Sequence, residues 1–198
     1  MILLFVLGML SCCIKSLRAQ KMSNLPIAQL TLTSSDGLVV TLSAFAQHKA
    51  TVLILLSPEC PISQQCTKAI NELWLQNNKS NIAFYGVVPG AFYDTISVNA
   101  FKETYHIPFP ILTDKNYALT KELKAHITPE VFVLSGDYAI VYSGAIDNAY
   151  VAPGRKRAVV SAHYLADALS ALMHDKPITT QKTKAIGCLI EIKDADQR

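Results

Sequence analysis

Charge, long hydrophobic runs and cysteine are all scarce in this chain, and each shortage excludes a class of protein. Only 17% of the 198 residues are Asp, Glu, Lys or Arg, and the formal net charge is +3. With 51% of residues hydrophobic, the chain can bury a core, so a disordered chain is excluded. Lys and Arg are scattered. The densest basic stretch, Arg155-Lys156-Arg157, is three residues long and reads as the solvated start of a helix. Nucleic-acid binding needs a basic patch or stripe, so no nucleic-acid partner is expected. The longest apolar run, residues 1–10, falls short of the roughly 20 residues that span a bilayer. Five cysteines are too few for a small secreted scaffold stapled by disulfides. Internal repeats and low-complexity segments are absent. The length fits one domain with its own core, since about 100–200 residues usually make one.

The first 20 residues differ from the rest. The apolar run is followed by Ser11-Cys12-Cys13-Ile14, Lys15, Arg18 and Ala19-Gln20. This pattern fits the apolar region of a secretory signal, with Ala19 as the small residue before cleavage. No Lys or Arg precedes the run, and Leu17 stands where a small residue is preferred. Leu10-Ser11-Cys12 also resembles a bacterial lipobox, so a lipid anchor is the alternative to cleavage. The expectation is export, to the periplasm or cell envelope, with residues 1–19 as signal and 25–190 as the folded domain. A membrane is then met only through such an N-terminal anchor. Cleavage after Ala19 leaves Cys60, Cys66 and Cys188, an odd number, so one thiol stays free or pairs outside the chain. Asn78-Lys79-Ser80 matches a glycosylation acceptor, but three-residue matches are common by chance.

Cys60 stands out by its setting. Residues 51–56 (Thr-Val-Leu-Ile-Leu-Leu) read as a buried strand, Ser57-Pro58-Glu59 breaks it, and a helical pattern opens after Cys60. Pro61 falls at the first helical position, where its missing N–H costs nothing. A thiol there faces the helix's unpaired N–H groups and positive dipole end, which favour the thiolate. The thiolate is the nucleophile of disulfide exchange. The spacing of Ile62, Cys66, Ala69, Ile70 and Leu73 puts them on one apolar helix face.

The rest of the chain alternates strands and helices. Residues 28–33 and 38–42 flank Ser34-Ser35-Asp36-Gly37 as a β-hairpin. Strands are expected at 82–88, 109–112, 131–134 and 139–142, and helices at 95–106, 117–125 and 157–173. A polar stretch, 175–184, leads to a last apolar run at 185–190. The order is that of one α/β domain with a mixed sheet.

That order, with a Cys-Pro pair at the first strand–helix junction, resembles the thioredoxin fold, and within it the redoxin group of exported thiol oxidoreductases and AhpC/TSA peroxiredoxin-like proteins. Three stretches carry the resemblance: Cys60-Pro61-Ile62-Ser63, where the family has its CxxC; Ile127-Thr128-Pro129-Glu130-Val131-Phe132-Val133-Leu134; and Ala185-Ile186-Gly187-Cys188-Leu189-Ile190. It implies a central mixed β-sheet flanked by helices with an N-terminal β-hairpin extension. It gives Cys60 the attacking role and Pro129 that of a cis-proline facing the site. Thr128 would line the docking place of an extended substrate, with Pro61 and Ser63 beside it. No cofactor or metal is implied, and the partner is a protein thiol or disulfide, or a peroxide.

Ser63 replaces the second cysteine of CxxC, so another thiol must resolve a mixed disulfide. Cys188, on a terminal segment that could fold over the site, is favoured over Cys66, whose place on the apolar stripe suits a core cysteine. Glu59 stands where thioredoxins usually carry Trp, and its carboxylate opposes the helix dipole. A thiol peroxidase is the second reading. Peroxiredoxins carry Pro-x-x-x-Thr/Ser-x-x-Cys, and here Ser57 fits before Cys60 while Leu53 stands in place of proline. Around Cys66, Ser63 fits but Glu59 holds the proline position, and Arg155 and Arg157 are the internal arginines available. A copper-binding module would pair a Cys-x-x-x-Cys loop with a distant histidine, and Cys60 and Cys66 are too widely spaced for it. The fourth reading is a partner-binding domain without catalysis.

Overall fold

The computed structural model describes residues 26–192. The expected leader, with Cys12 and Cys13, lies outside the described residues. β3 (Ala50–Leu55) is buried along its whole length, as its uninterrupted apolar sequence requires of a strand covered on both faces. It lies inside a seven-stranded sheet of order β2-β1-β5-β4-β3-β7-β8. The members are β1 (Thr31–Ser34), β2 (Val39–Thr41), β4 (Ile82–Pro89), β5 (Ile111–Asp114), β7 (Glu130–Ser135) and β8 (Ile140–Gly144). β3, β4 and β5 run parallel, while β1 pairs antiparallel with β5 and β7 with β3. The fold is therefore a mixed α/β sheet flanked by helices, with the N-terminal hairpin on one edge.

Side chains alternate across the sheet. Val52 and Ile54 face one core with Ile70 and Leu73 of α2 (Pro61–Asn77), Val98 and Phe101 of α3 (Thr95–Thr104), and Leu165 and Leu169 of α5 (Tyr164–Met173). Leu53 and Leu55 face a second core with Ile27 of α1 (Pro26–Gln29), Phe45, and Leu119 and Leu123 of α4 (Ala118–Leu123).

Three expectations need correction. Ala28 belongs to α1 and not to the first strand, which begins at Thr31. The helix expected over 157–173 begins only at Tyr164. Ahead of it, β9 (Tyr150–Ala152) and β10 (Arg155–Lys156) form a hairpin, turned at Pro153-Gly154 with Gly154 at φ +73°. The basic stretch is thus an exposed strand end and not a helix start. The Asn148 side-chain oxygen accepts from the Ser161 and Ala162 N–H groups at 3.0 and 3.2 Å, which holds this stretch in a loop despite its helical spacing. On α2 the expected face is buried at Ile62, Ile70 and Leu73, with Cys66 and Ala69 half-buried against the core, but Ser63 and Thr67 are buried as well. The polar stretch before the last apolar run is tied to the sheet. Ser143 on β8 accepts from the Thr183 N–H and donates to the Gln181 carbonyl, each at 2.9 Å.

Candidate active site

The site lies at the carboxyl ends of the parallel strands, where the chain leaves β3. The Ser57-Pro58-Glu59 turn is closed by the Cys60 N–H donating to the Ser57 carbonyl at 3.1 Å. It is clamped by the Gln64 side-chain amide donating to the Pro58 carbonyl at 2.7 Å. Cys60 is the N-cap of α2 in extended geometry, with Pro61 beginning the helix. Its sulfur therefore sits at the positive end of a long helix.

Ser63 is wholly buried, at 0% exposure. Its hydroxyl accepts from the Ser57 N–H at 3.3 Å. At the place of the second CxxC cysteine there is thus a buried group steadying the turn, not a substrate-facing one as expected. Pro61 is exposed beside the cleft.

Opposite Cys60 the Thr128–Pro129 peptide bond is cis, and the Thr128 carbonyl oxygen lies 3.2 Å from the Cys60 sulfur. Thr128 ends the short strand β6 (Ile127–Thr128), which pairs antiparallel with β11 (Cys188–Leu189), Cys188 opposite Thr128 and Leu189 opposite Ile127. Cys188 is disulfide-bonded to Cys60 across 128 positions of sequence, their Cα atoms 6.1 Å apart. Gly187 makes the approach feasible, because a Cβ there would collide with the Thr128 carbonyl. Of the two candidate partners for Cys60, the structure joins Cys188 and leaves Cys66 free. Burial, then the Asp147 carboxylate, push the Cys66 thiol from 9.0 up to about 12, against a smaller pull from Lys156. Cys66 lines a small cavity with Pro129, Asp147 and Tyr150.

A cleft of about 350 Å³ opens in front of the disulfide, lined by Glu59, Cys60, Phe92, Tyr93, Thr128 and Cys188 among others. Tyr93 donates to the Glu59 carboxylate at 3.3 Å and shares a 3.0 Å hydrogen bond with Ser57. Glu59 is thereby tied to the cleft wall. Tyr117, buried, donates its hydroxyl to the Glu191 carbonyl at 3.0 Å and so fastens the segment after Cys188. Sequence reasoning missed Phe92, Tyr93 and Tyr117. The signal available was positional, since Pro89-Gly90 ends a parallel strand, and ligand sites in such sheets gather at the carboxyl ends.

Arg155 and Arg157 are exposed and line no part of this cleft. Among the described residues no group of three or more His, Cys, Asp or Glu side chains could hold a metal, and no helix is long and apolar enough to cross a membrane.

A cysteine heading a helix, facing a cis-proline at the start of a buried strand in a sheet of this order, defines a thioredoxin-fold redoxin. Residues 24–148 match the AhpC/TSA family, more than half of the chain, and the chain belongs to that family. It is accordingly an oxidoreductase acting on thiols or peroxides. Among solved structures it is similar to a hypothetical protein from Sinorhizobium meliloti 1021, at 25% identity and TM-score 0.75, covering 85% of this chain and 93% of that one. A secreted Mycobacterium tuberculosis disulfide oxidoreductase matches at 17% identity and TM-score 0.53, over 79% of this chain and 98% of that one. The Xanthomonas campestris bacterioferritin comigratory protein, studied for alkyl peroxide reduction, matches at 20% identity and TM-score 0.56, over 75% and 91%. No curated protein matches the chain.

Proposed function

We propose that the chain is an exported thiol–disulfide oxidoreductase in which Cys60 attacks and Cys188 resolves. The observation that carries this reading is the Cys60–Cys188 disulfide at the floor of an open cleft. In the reducing direction, the Cys60 thiolate attacks one sulfur of a partner disulfide and expels the other as a thiolate, which takes up a proton. The Cys188 thiolate then attacks the Cys60 sulfur, releasing the second partner thiol and leaving the internal disulfide. Two electrons pass from the protein dithiol to the partner, and the reverse sequence oxidises a partner dithiol. The helix dipole at Cys60 favours the first step by raising the fraction of this sulfur present as the attacking thiolate.

The test is reduction of a protein disulfide, such as insulin, by the dithiol-regenerated chain. Cys60→Ser abolishes turnover. Cys188→Ser leaves one round of attack and accumulates a mixed disulfide at Cys60. Full turnover by Cys60→Ser would overturn the assignment.

The cleft favours a second reading, since it leaves room for a small hydroperoxide beside the same cysteine pair. There Cys60 would become a sulfenic acid as alcohol or water leaves, and Cys188 would condense with it and release water. Stopped-flow mixing with hydrogen peroxide separates the two, because rapid sulfenic acid formation at Cys60 belongs only to the peroxidase. Leu53 in the motif's proline position and the absence of arginine from the cleft lining favour disulfide exchange. Export rests on the apolar residues 1–10 and Ala19. The mass of the mature protein distinguishes cleavage after Ala19 from lipidation at Cys12.

A further inference from the structure

The segment that carries Cys188 does more than supply a sulfur, because it occupies a strand edge. β11 adds to β6 with Cys188 opposite Thr128, and the Ile190 N–H donates to the His126 carbonyl at 2.9 Å. A strand edge offers one row of N–H and C=O groups and so holds one strand at a time. While the disulfide stands, no other chain can pair there.

The occupant also shows what the edge accepts. Leu189 is 78% exposed along the cleft, while Ile190 is half-buried against the core beneath α1 and α4. The pattern is a cysteine, an unconstrained residue, then an aliphatic one. What holds the segment, apart from the disulfide and the packing of Ile190, is slight: a two-residue ladder, the Ile190 bond and the Tyr117 bond to Glu191. Two-stranded pairings of this length are marginal in water. Upstream the chain is fixed to β8 at Gln181 and Thr183 and buries Ala185, so release of the segment need not disturb the sheet.

We propose that Gly187–Glu191 is a tethered stand-in for the substrate, and that reduction of Cys60–Cys188 frees the β6 edge for an extended partner strand bearing Cys-x-aliphatic. This rests on the proposed function and adds to it the substrate class and the redox gate. The gate opens when a dithiol reductant gives two electrons and two protons to the disulfide, becoming itself a disulfide and leaving Cys60 and Cys188 as thiols. The partner cysteine then takes the place of Cys188 opposite Thr128, its sulfur bonded to Cys60 in the mixed disulfide.

Two measurements on the full chain test this. Amide hydrogen exchange at Ile190 should accelerate at least tenfold when dithiothreitol reduces the protein. Unchanged protection overturns the gate. The second uses reduced Cys188→Ser, with the reduced parent chain as the control for folding, and synthetic peptides copying residues 184–192 with the cysteine activated as a thionitrobenzoate disulfide. The direct copy should form the mixed disulfide at Cys60 at least tenfold faster than two controls. One control is N-methylated at the position of Ile190, and the other carries aspartate there. Either control reacting as fast as the copy overturns the docking mode alone. Failure of all three peptides to react at Cys60 overturns it together with the assignment of Cys60 as nucleophile.

Discussion

Cys60 and Cys66 belong to one helix and differ in their surroundings. Cys60 caps the helix N-terminus beside an open cleft, whereas Cys66 lies six residues further in, beside the Asp147 carboxylate. With its thiol raised from 9.0 to about 12, Cys66 is protonated throughout the neutral range. Its thiolate fraction at pH 8 is then about a thousandfold below that of an ordinary thiol. Iodoacetamide at pH 8 should therefore label Cys60 of the reduced chain first, and Cys66 about a thousandfold more slowly than in the urea-unfolded chain. Above pH 9 an ordinary thiol stops gaining reactivity, while Cys66 should keep gaining about tenfold per pH unit towards 12. Equal labelling of folded and unfolded Cys66, read by peptide mapping, would show that its surroundings do not protect it. Gly187 acts on the other member of the pair. A methyl there meets the Thr128 carbonyl, so Gly187→Ala must push β11 off β6 or move Thr128. Either change strains the oxidised form and spares the reduced one. The Cys60–Cys188 bond should become at least tenfold easier to reduce in a glutathione redox titration, about 30 mV for two electrons.

The C-terminal segment is the element whose role was hardest to read, because its contacts are made by backbone. Polar residues 175–184 look like a linker in composition, yet Thr183 is tied into the fold. The Thr183 hydroxyl oxygen accepts from the Ala145 N–H at 2.9 Å and bonds the Tyr142 hydroxyl at 2.7 Å. The backbone of Gly144 passes so close to Thr183 that a Cβ would not fit. This anchor sets where the free part of the segment starts and so where Cys188 arrives. Thr183→Val keeps the shape and removes the hydroxyl, leaving the Ala145 N–H unpaired at a cost of about 1–3 kcal/mol. Disulfide formation after diamide oxidation of the reduced chain should slow several-fold, with the slope of denaturant unfolding unchanged. An unaltered closure rate would mean that Cys188 finds Cys60 without this anchor. By contrast, the strand, turn and helix around Cys60 were legible in the sequence, since an apolar run, a Pro-Glu break and a Pro at the first helical turn are local signals.

At the scale of the whole molecule, the central strands could be read from residues such as Leu53 and Val131, because continuous apolar runs mark strands covered on both faces. The small two-stranded pairings outside that sheet could not. The Arg155–Lys156 strand and the Cys188–Leu189 strand are two residues each, too short for any period to show, and they depend on partners distant in sequence. Part of the cleft was unreadable for the same reason: Cys60, Thr128 and Cys188 could be named from their motifs, whereas Phe92, Tyr93 and Tyr117 join them only through the fold. This division has an energetic counterpart. The sheet's interior carries the stability and its ends carry the chemistry, so the two should respond separately to substitution. Leu53 is wholly buried on the face of β3 that looks towards α1 and α4, while Cys60 lies beyond the strand's end. Leu53→Ala removes three carbons from that core and leaves a cavity, for an expected loss of about 2–5 kcal/mol in urea unfolding. Below its lowered transition the variant should retain the Cys60–Cys188 disulfide and the parent rate of Cys60 alkylation after reduction. A loss of that reactivity in step with stability would show that the cysteine site is not mechanically separate from the sheet that presents it.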